Sequence, residues 1–180
     1  AEPVTVEDVE ILHSFIEESK DHLENIEEKI LSLEKTNDQA TVDDIFRSMH
    51  TMKGTSAFFG FGQIKDLSHS LEFVLDALRT EQLTLTPEIV DVLLAGTDLL
   101  SRQIGELDGI SSGLENPQGN LVIPASEIDI MPIMARIREI NNPNSAEEHQ
   151  PDASAPAPAE ESFEDLITPE IRDNFISEST

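Results

Sequence analysis

Apolar residues near the start of the chain recur in alternating steps of four and three, with one serine among them. The repeat comprises Leu12, Ile16, Ser19, Leu23, Ile26, Ile30 and Leu33. This spacing puts the side chains on one face of an α-helix, because two helical turns take about seven residues. It predicts a long first helix, from about Asp8 to Lys35, whose single apolar stripe must be buried against partner helices.

Three further segments show helical periodicity and are separated by short connections. The second helix is predicted from about Val42 to Phe59 and the third from about Gln63 to Arg79, with a Gly-Phe-Gly turn between them. Thr86, Pro87 and Glu88 form a helix start signal, and the fourth helix should run to about Leu107. Four amphipathic helices joined by short turns predict an antiparallel up-down four-helix bundle.

An additional fifth helix is predicted after a polar connection at residues 109–118 and an apolar stretch at 121–124. Pro132 is tolerated only in a first turn, so this helix should begin near Asp129 and end before Asn141. Alternating β-branched residues are scarce, and no sheet is expected. The predicted fold class is all-α, with residues 1–142 forming one domain.

The end of the chain has a different composition. Residues 143–162 are Pro, Ala and acidic residues with little to bury, which predicts a disordered acidic linker. Residues 163–180 regain helical signals, and six of twelve positions in Asp8–Ser19 recur in Thr168–Ser179. One interpretation is the truncated start of a second copy of the domain, and the other is chance similarity between two helix starts.

Charge and composition exclude several classes of partner. The chain has 37 acidic and 11 basic residues, a formal net charge of −26, which would repel nucleic acid and anionic membrane surfaces. It has no cysteine, no apolar run long enough to span a membrane, and no basic segment typical of a signal peptide. A cytoplasmic and monomeric fragment is expected.

The second predicted helix carries a histidine beside its buried stripe. His50 follows Met49, about 100° further round the helix, so its imidazole should lie at the edge of the core. Lys53 and Gly54 share its face one turn later, and Arg47 lies one turn earlier. A helical glycine costs about 1 kcal/mol relative to alanine, so Gly54 indicates a need for space beside the imidazole. The two cations would attract an anion on His50, and a phosphoryl group is expected.

The third predicted helix carries His69 and Glu72, which are three residues apart and therefore share a face. If this helix packs antiparallel to the second, that face can approach His50. A carboxylate there could accept the proton of one imidazole nitrogen and leave the other nitrogen free to attack. The spacing equally fits a hydrogen-bonded surface pair, and His50 alone would fit a structural histidine.

Three pieces of sequence together resemble the histidine phosphotransfer (HPt) domain family, and more narrowly the N-terminal HPt domain of CheA-type chemotaxis kinases. They are HTMKGTS at residues 50–56, Phe-Gly-Phe at 59–61 and LSHSLE at 67–72. The HxxKG pattern alone is weak, but the combination on two helices is specific. The resemblance covers approximately residues 8–140.

This resemblance implies a function and assigns roles to residues. His50 would be phosphorylated by the ATP-binding domain of a CheA-like kinase and pass the phosphoryl group to an aspartate of a CheY-like or CheB-like response regulator. Glu72 would orient His50, with Lys53 and His69 in the surrounding network, while Gly54 and Arg47 serve partner access. No cofactor or metal is expected in this chain, because ATP would bind to a separate kinase domain.

Other functions fit parts of the sequence. An HPt domain of a hybrid sensor kinase is the nearest alternative, and a non-catalytic helical interaction module is another. A di-metal bundle would need Glu-x-x-His on two helices, whereas this chain offers only the reversed pattern from His69 to Glu72.

Overall fold

The computed structural model describes residues 2–113 and 120–142, and in these residues five helices and two short strands form the regular structure. The predictions for 143–162 and 163–180 lie outside the described residues. The helices are α1 Val9–Thr36, α2 Gln39–Phe59, α3 Gly62–Arg79, α4 Pro87–Ser112 and α5 Met131–Asn141, and the strands are β1 Val4–Val6 and β2 Leu121–Ile123. The predicted helical bundle with an added fifth helix is confirmed.

The helix ends have identifiable capping residues. The Asp8 side chain caps α1 by accepting a hydrogen bond from the Ile11 N–H at 3.1 Å. Asn37 ends that helix in the left-handed conformation, with φ of 47°. Asp38 then caps α2 through the Ala40 N–H. The second helix therefore begins at Gln39, three residues before its predicted start, because this cap was not recognised.

Helix α4 is five residues longer than predicted, because tertiary contacts extend it. Gly109 was interpreted as the start of a polar connection, but the helix continues to Ser112. Ser111 is buried, and its hydroxyl lies 3.1 Å from Nε2 of His13 on α1. Ile110 packs against the apolar core. These contacts outweigh the low helix propensity of glycine.

The absence of a sheet was a wrong prediction. Strands β1 and β2 pair antiparallel, with Val4 opposite Ile123 and Val6 opposite Leu121. Each strand has only three residues, too few to show a period-two pattern in the sequence. Val6, Leu121 and Ile123 are buried, so this ribbon contributes to the core.

The predicted apolar stripes meet in one core. Every residue of the α1 repeat is buried, including Ser19. Helix α5 begins two residues later than predicted, contacts α3 and α4, and buries Ile133 and Ile137. Pro132 lies in its first turn, as predicted. Among the described residues, no helix is long and apolar enough to cross a membrane.

Gly96 permits the close approach of α4 to α3. A Cβ atom at this position would lie 2.7 and 2.9 Å from the two Cδ atoms of Leu71, which is fully buried. We therefore expect Gly96→Ala to lower the free energy of unfolding by about 1–3 kcal/mol, the usual effect of overpacking a core. Urea unfolding measures this change.

Gly105→Ala is the matched control, since Gly105 lies on the same helix with open space around its Cβ position. That variant should be more stable than the wild-type chain by up to about 1 kcal/mol. Equal unfolding midpoints for the two variants would contradict the packing argument.

Candidate functional site

A hairpin of α2 and α3 holds the candidate site, and an aromatic cluster anchors its turn. Gly60 ends α2 with φ of 80°, and the Phe61 N–H donates to the Ser56 carbonyl at 2.9 Å. The rings of Phe59 and Phe61 stack with centroids 5.4 Å apart, and both contact the ring of Phe15 on α1. The turn is thereby fixed, and with it the register between the two helices.

This register places Glu72 beside His50. The Nδ1 atom of His50 lies 3.1 Å from Oε1 of Glu72. The His50 side chain is 62% exposed and that of Glu72 only 13%. The imidazole is thus mostly exposed, while its Nδ1 side still contacts Glu72 of α3.

Lys53 completes a three-residue cluster with His50 and Glu72. Its ammonium donates a hydrogen bond to Oε1 of Glu72 at 3.1 Å and lies 2.8 Å from Oε2. The shorter contact lacks hydrogen-bond geometry. The ammonium of Lys53 therefore attracts Oε2 by charge but does not donate a hydrogen bond to it. The resemblance implied that Lys53 belongs to the network around His50 and Glu72, and the structure gives its contact with Glu72. Its expected role towards an anion on His50 stays a prediction.

The cluster keeps Glu72 ionised. Partial burial of the carboxyl group raises its pKa, but hydrogen bonds from Lys53 and His50 and their charges outweigh burial and hold the pKa of Glu72 below its ordinary value. An ionised carboxylate can only accept a hydrogen bond, so Nδ1 of His50 carries the proton. In the neutral imidazole the lone pair then belongs to Nε2, and this nitrogen can act as a nucleophile.

We predict that Lys53→Met raises the pKa of Glu72, because it removes the strongest interaction that lowers it while burial persists. The depressed pKa of the wild-type carboxyl group stabilises the fold above its unfolded pKa, and this stability is lost as pH falls through the folded pKa. In Lys53→Met the two pKa values lie closer together, so less stability should be lost as the pH falls. Side-chain carbon NMR of Glu72 measures the pKa.

Lys35→Met is the matched control, since Lys35 is an exposed lysine at the end of α1. It should leave the Glu72 titration unchanged. An identical Glu72 titration in wild type and Lys53→Met would show that the ammonium has no such effect.

The other predicted site residues are placed differently. The ring of His69 lies 5.2 Å from that of Phe73, and His69 makes no hydrogen bond to another described residue. It forms no hydrogen bond or ring contact with His50 or Glu72. Gly54 is exposed, and a Cβ there would meet nothing within 4 Å, so the space beside His50 is open. Arg47 is exposed and forms no ion pair within the described part of the chain.

Sequence reasoning missed Phe46 and Arg79. The rings of Phe46 and His50 are nearly parallel, at an angle of 17°, with centroids 6.1 Å apart. The guanidinium carbon of Arg79 lies 4.1 Å from the centroid of the Phe46 ring. The four-residue spacing from Phe46 to His50 could have revealed the first contact. The contact between Arg79 and Phe46 depends on how α3 packs against α2, so no local sequence pattern indicates it.

Two further observations concern ligands. Within residues 2–113 and 120–142, no group of three or more His, Cys, Asp or Glu side chains could hold a metal ion. A cavity of about 410 Å³ is lined by residues that include Val4, Phe61, Gln103 and Ile123, but not by His50 or Glu72. The candidate site is an open surface of the hairpin.

Comparison with known proteins gives consistent matches. The model of the Hpt domain family matches residues 10–108. The chemotaxis protein CheA of Listeria monocytogenes is 42% identical over 99 residues, which are 54% of this chain and 16% of that protein. The matched region thus spans about a sixth of the length of that relative.

Solved structures agree with this match. The CheA phosphotransferase domain from Thermotoga maritima is 33% identical, with a TM-score of 0.53, and the likeness covers 56% of this chain and 96% of that domain. The phosphorylated P1 domain of CheA3 from R. sphaeroides, solved in complex with CheY6, has a TM-score of 0.57 at 22% identity, over 73% of this chain and 94% of that one. The second likeness shows the shared fold.

Proposed function

Because this chain belongs to the Hpt domain family and is homologous to the phosphotransfer domains of CheA proteins, we propose that His50 accepts and donates the phosphoryl group. One observation carries the assignment. His50 is an exposed imidazole whose Nδ1 is held by an ionised, largely buried carboxylate, which leaves Nε2 open to a partner.

The acceptance step follows from this geometry. Nε2 of neutral His50 attacks the γ-phosphorus of ATP bound to a separate kinase catalytic domain. An N–P bond forms while the bond from phosphorus to the β–γ bridging oxygen breaks, and ADP leaves. The ring keeps its proton on Nδ1 and becomes positively charged as the new bond forms. Glu72 stabilises that charge through the 3.1 Å hydrogen bond.

The donation step reverses the charge change. A carboxylate oxygen of an aspartate on a response regulator attacks the phosphorus, the N–P bond breaks, and His50 returns to the neutral state with its proton still on Nδ1. Both steps use the same nitrogen, so the two partners must approach the same face in turn. Glu72 serves both steps, and Lys53 maintains its charge.

Access to the site depends on the surface around His50. Gly54 presents no side chain beside the imidazole, so a partner surface can approach Nε2. Arg47 lies one turn before His50, where its guanidinium can bind an oxygen of the phosphoryl group or an acidic partner. We assign both residues to partner access. His69 stays a candidate member of the network by resemblance alone.

The partners follow from the relatives. The solved complex of a phosphorylated CheA3 domain with CheY6 supports a response regulator of the CheY type, and a CheB-like regulator fits the same chemistry. A CheA-type catalytic domain would supply the phosphoryl group in the cytoplasm. The match to chemotaxis proteins favours this assignment over a hybrid sensor kinase.

A phosphorylation assay tests the proposal. The chain is incubated with γ-labelled ATP and a CheA-type catalytic core that lacks its own phosphotransfer domain. We expect acid-labile label on His50, located by peptide mapping, and loss of that label when a CheY-like regulator is added. If the same core labels a known CheA phosphotransfer domain but not this chain, the proposed function is wrong. The same result would leave the two alternatives, an HPt domain of a hybrid sensor kinase and a non-catalytic interaction module.

A further inference from the structure

A chain of contacts leads from His50 to the far end of α3. The Phe46 ring lies nearly parallel to the imidazole, with centroids 6.1 Å apart. The Arg79 guanidinium lies over the same phenyl ring, 4.1 Å from its centroid. Both distances are within the ranges in which aromatic and cation–π pairs attract each other.

Arg79 is itself held by two helices. It donates a hydrogen bond from Nη2 to Asp76 on α3 at 2.7 Å, and its Nε lies 3.8 Å from Oδ1 of Asp43 on α2. The two carboxylates locate the guanidinium, and the guanidinium in turn restricts the Phe46 ring. Phe46 is half-buried and also packs against the core, so its ring has few alternative positions.

The hydrogen bond to Glu72 does not by itself fix the tilt of the imidazole ring. It fixes where Nδ1 lies but still allows the ring to tilt about the direction of that bond. A nearly parallel, offset ring on one side limits this tilt, because tilting would disturb the stacking of the two rings. The direction of the Nε2 lone pair depends on both restraints, and in-line attack on phosphorus is sensitive to that direction.

On the basis of the function proposed above, we propose that Phe46, held by Arg79, is a positioning residue for phosphoryl transfer. Phe46 stacks beside the imidazole of His50 and carries no group that could react with phosphorus, so it acts only through the imidazole. Removal of the aromatic face should slow the phosphorylation step without changing how strongly the chain binds the kinase core.

The test compares Phe46→Leu, which keeps an apolar side chain, with Phe46→Tyr, which keeps the ring. The initial rate of phosphorylation of each variant is measured with a CheA-type catalytic core over a range of chain concentrations up to saturation. We expect Phe46→Leu to react about 2- to 10-fold more slowly, as the strength of aromatic pairs suggests. Its KM should be unchanged, and Phe46→Tyr should restore the wild-type rate. Arg79→Gln should give a smaller loss than Phe46→Leu.

Nitrogen NMR of His50 provides a readout that loss of core packing would not change. Phe46→Leu should alter the ¹⁵N shifts of the imidazole, while Phe46→Tyr should not. Phe73→Leu is the matched control, because Phe73 is an exposed phenylalanine on α3 that contacts His69. It should leave the His50 signals unchanged. Unfolding midpoints, measured in parallel, show how far each variant is destabilised.

The outcomes separate this inference from the proposed function. If the wild-type chain is phosphorylated and Phe46→Leu reacts at the same rate with unchanged His50 ¹⁵N shifts, the positioning role is wrong and the proposed function stands. A slow Phe46→Tyr variant would also overturn it, because the ring would then be insufficient. If the wild-type chain accepts no phosphate from a core that labels a known domain, the proposed function fails, and the positioning role fails with it.

Discussion

His50→Gln is expected to accept no phosphate from a CheA-type catalytic core while keeping the circular dichroism and unfolding midpoint of the wild-type chain. A glutamine amide nitrogen has no available lone pair, so the N–P bond cannot form. The His50 side chain is 62% exposed, and its loss removes little core contact. Radiolabel incorporation and thermal unfolding measure the two expectations.

His22→Gln is a matched control, because His22 also lies beside a carboxylate. Its Nε2 is 3.4 Å from Oε1 of Glu18 one turn earlier on α1. Glu18 is 60% exposed, so water competes for its carboxylate and the pair is weakly fixed. This variant should be labelled like the wild type. If His50→Gln is still labelled, at His22 or at His69, that histidine is the phosphorylation site and the assignment to His50 is wrong.

Local periodicity explains how much of the fold could be predicted. The α1 stripe was visible because its steps of four and three depend only on nearby residues, and the structure buries all of it. The ribbon was not visible, because it pairs Val4 with Ile123 across most of the chain through strands of three residues. The true end of α4 depends likewise on a contact between Ser111 and His13.

The candidate site, too, could be predicted only in part from the sequence. The pairing of His50 with Glu72 was expected from the motif and antiparallel packing, and the structure gives the atoms, Nδ1 and Oε1. Which nitrogen is free depends on side-chain rotation and could not be predicted from spacing. The resemblance placed Lys53 in the network around Glu72, and the structure adds the 2.8 Å distance between its ammonium and Oε2. The role of Lys53 towards a bound anion stays a prediction.

Glu72→Ala is expected to leave His50 phosphorylatable but to slow the kinase step by about 10- to 100-fold, the lower part of the range for positioned acid–base assistance. Without the carboxylate, Nδ1 has no fixed partner, and the proton can move to Nε2, which then cannot attack. The positive charge that develops on the ring also loses its stabilising anion. Single-turnover kinetics with excess kinase core measure the chemical step directly.

Glu72→Gln separates orientation from charge. Its amide oxygen can still accept a hydrogen bond from Nδ1, but it carries no negative charge. If orientation is the larger contribution, this variant should react at close to the wild-type rate. If charge dominates, it should be nearly as slow as Glu72→Ala. Circular dichroism of both variants confirms that the hairpin persists.

Lys53 complicates both substitutions, because its side chain is only 25% exposed and its ammonium would lose the carboxylate of Glu72. An unpaired cation beside the imidazole would itself disfavour positive charge on the ring. The double variant Glu72→Ala/Lys53→Met removes this effect, and a double-mutant cycle gives the coupling between the two residues. We expect the double variant to react faster than Glu72→Ala alone, yet more slowly than wild type. If Glu72→Ala and the double variant both react at the wild-type rate, the 3.1 Å hydrogen bond between Glu72 and His50 is only structural.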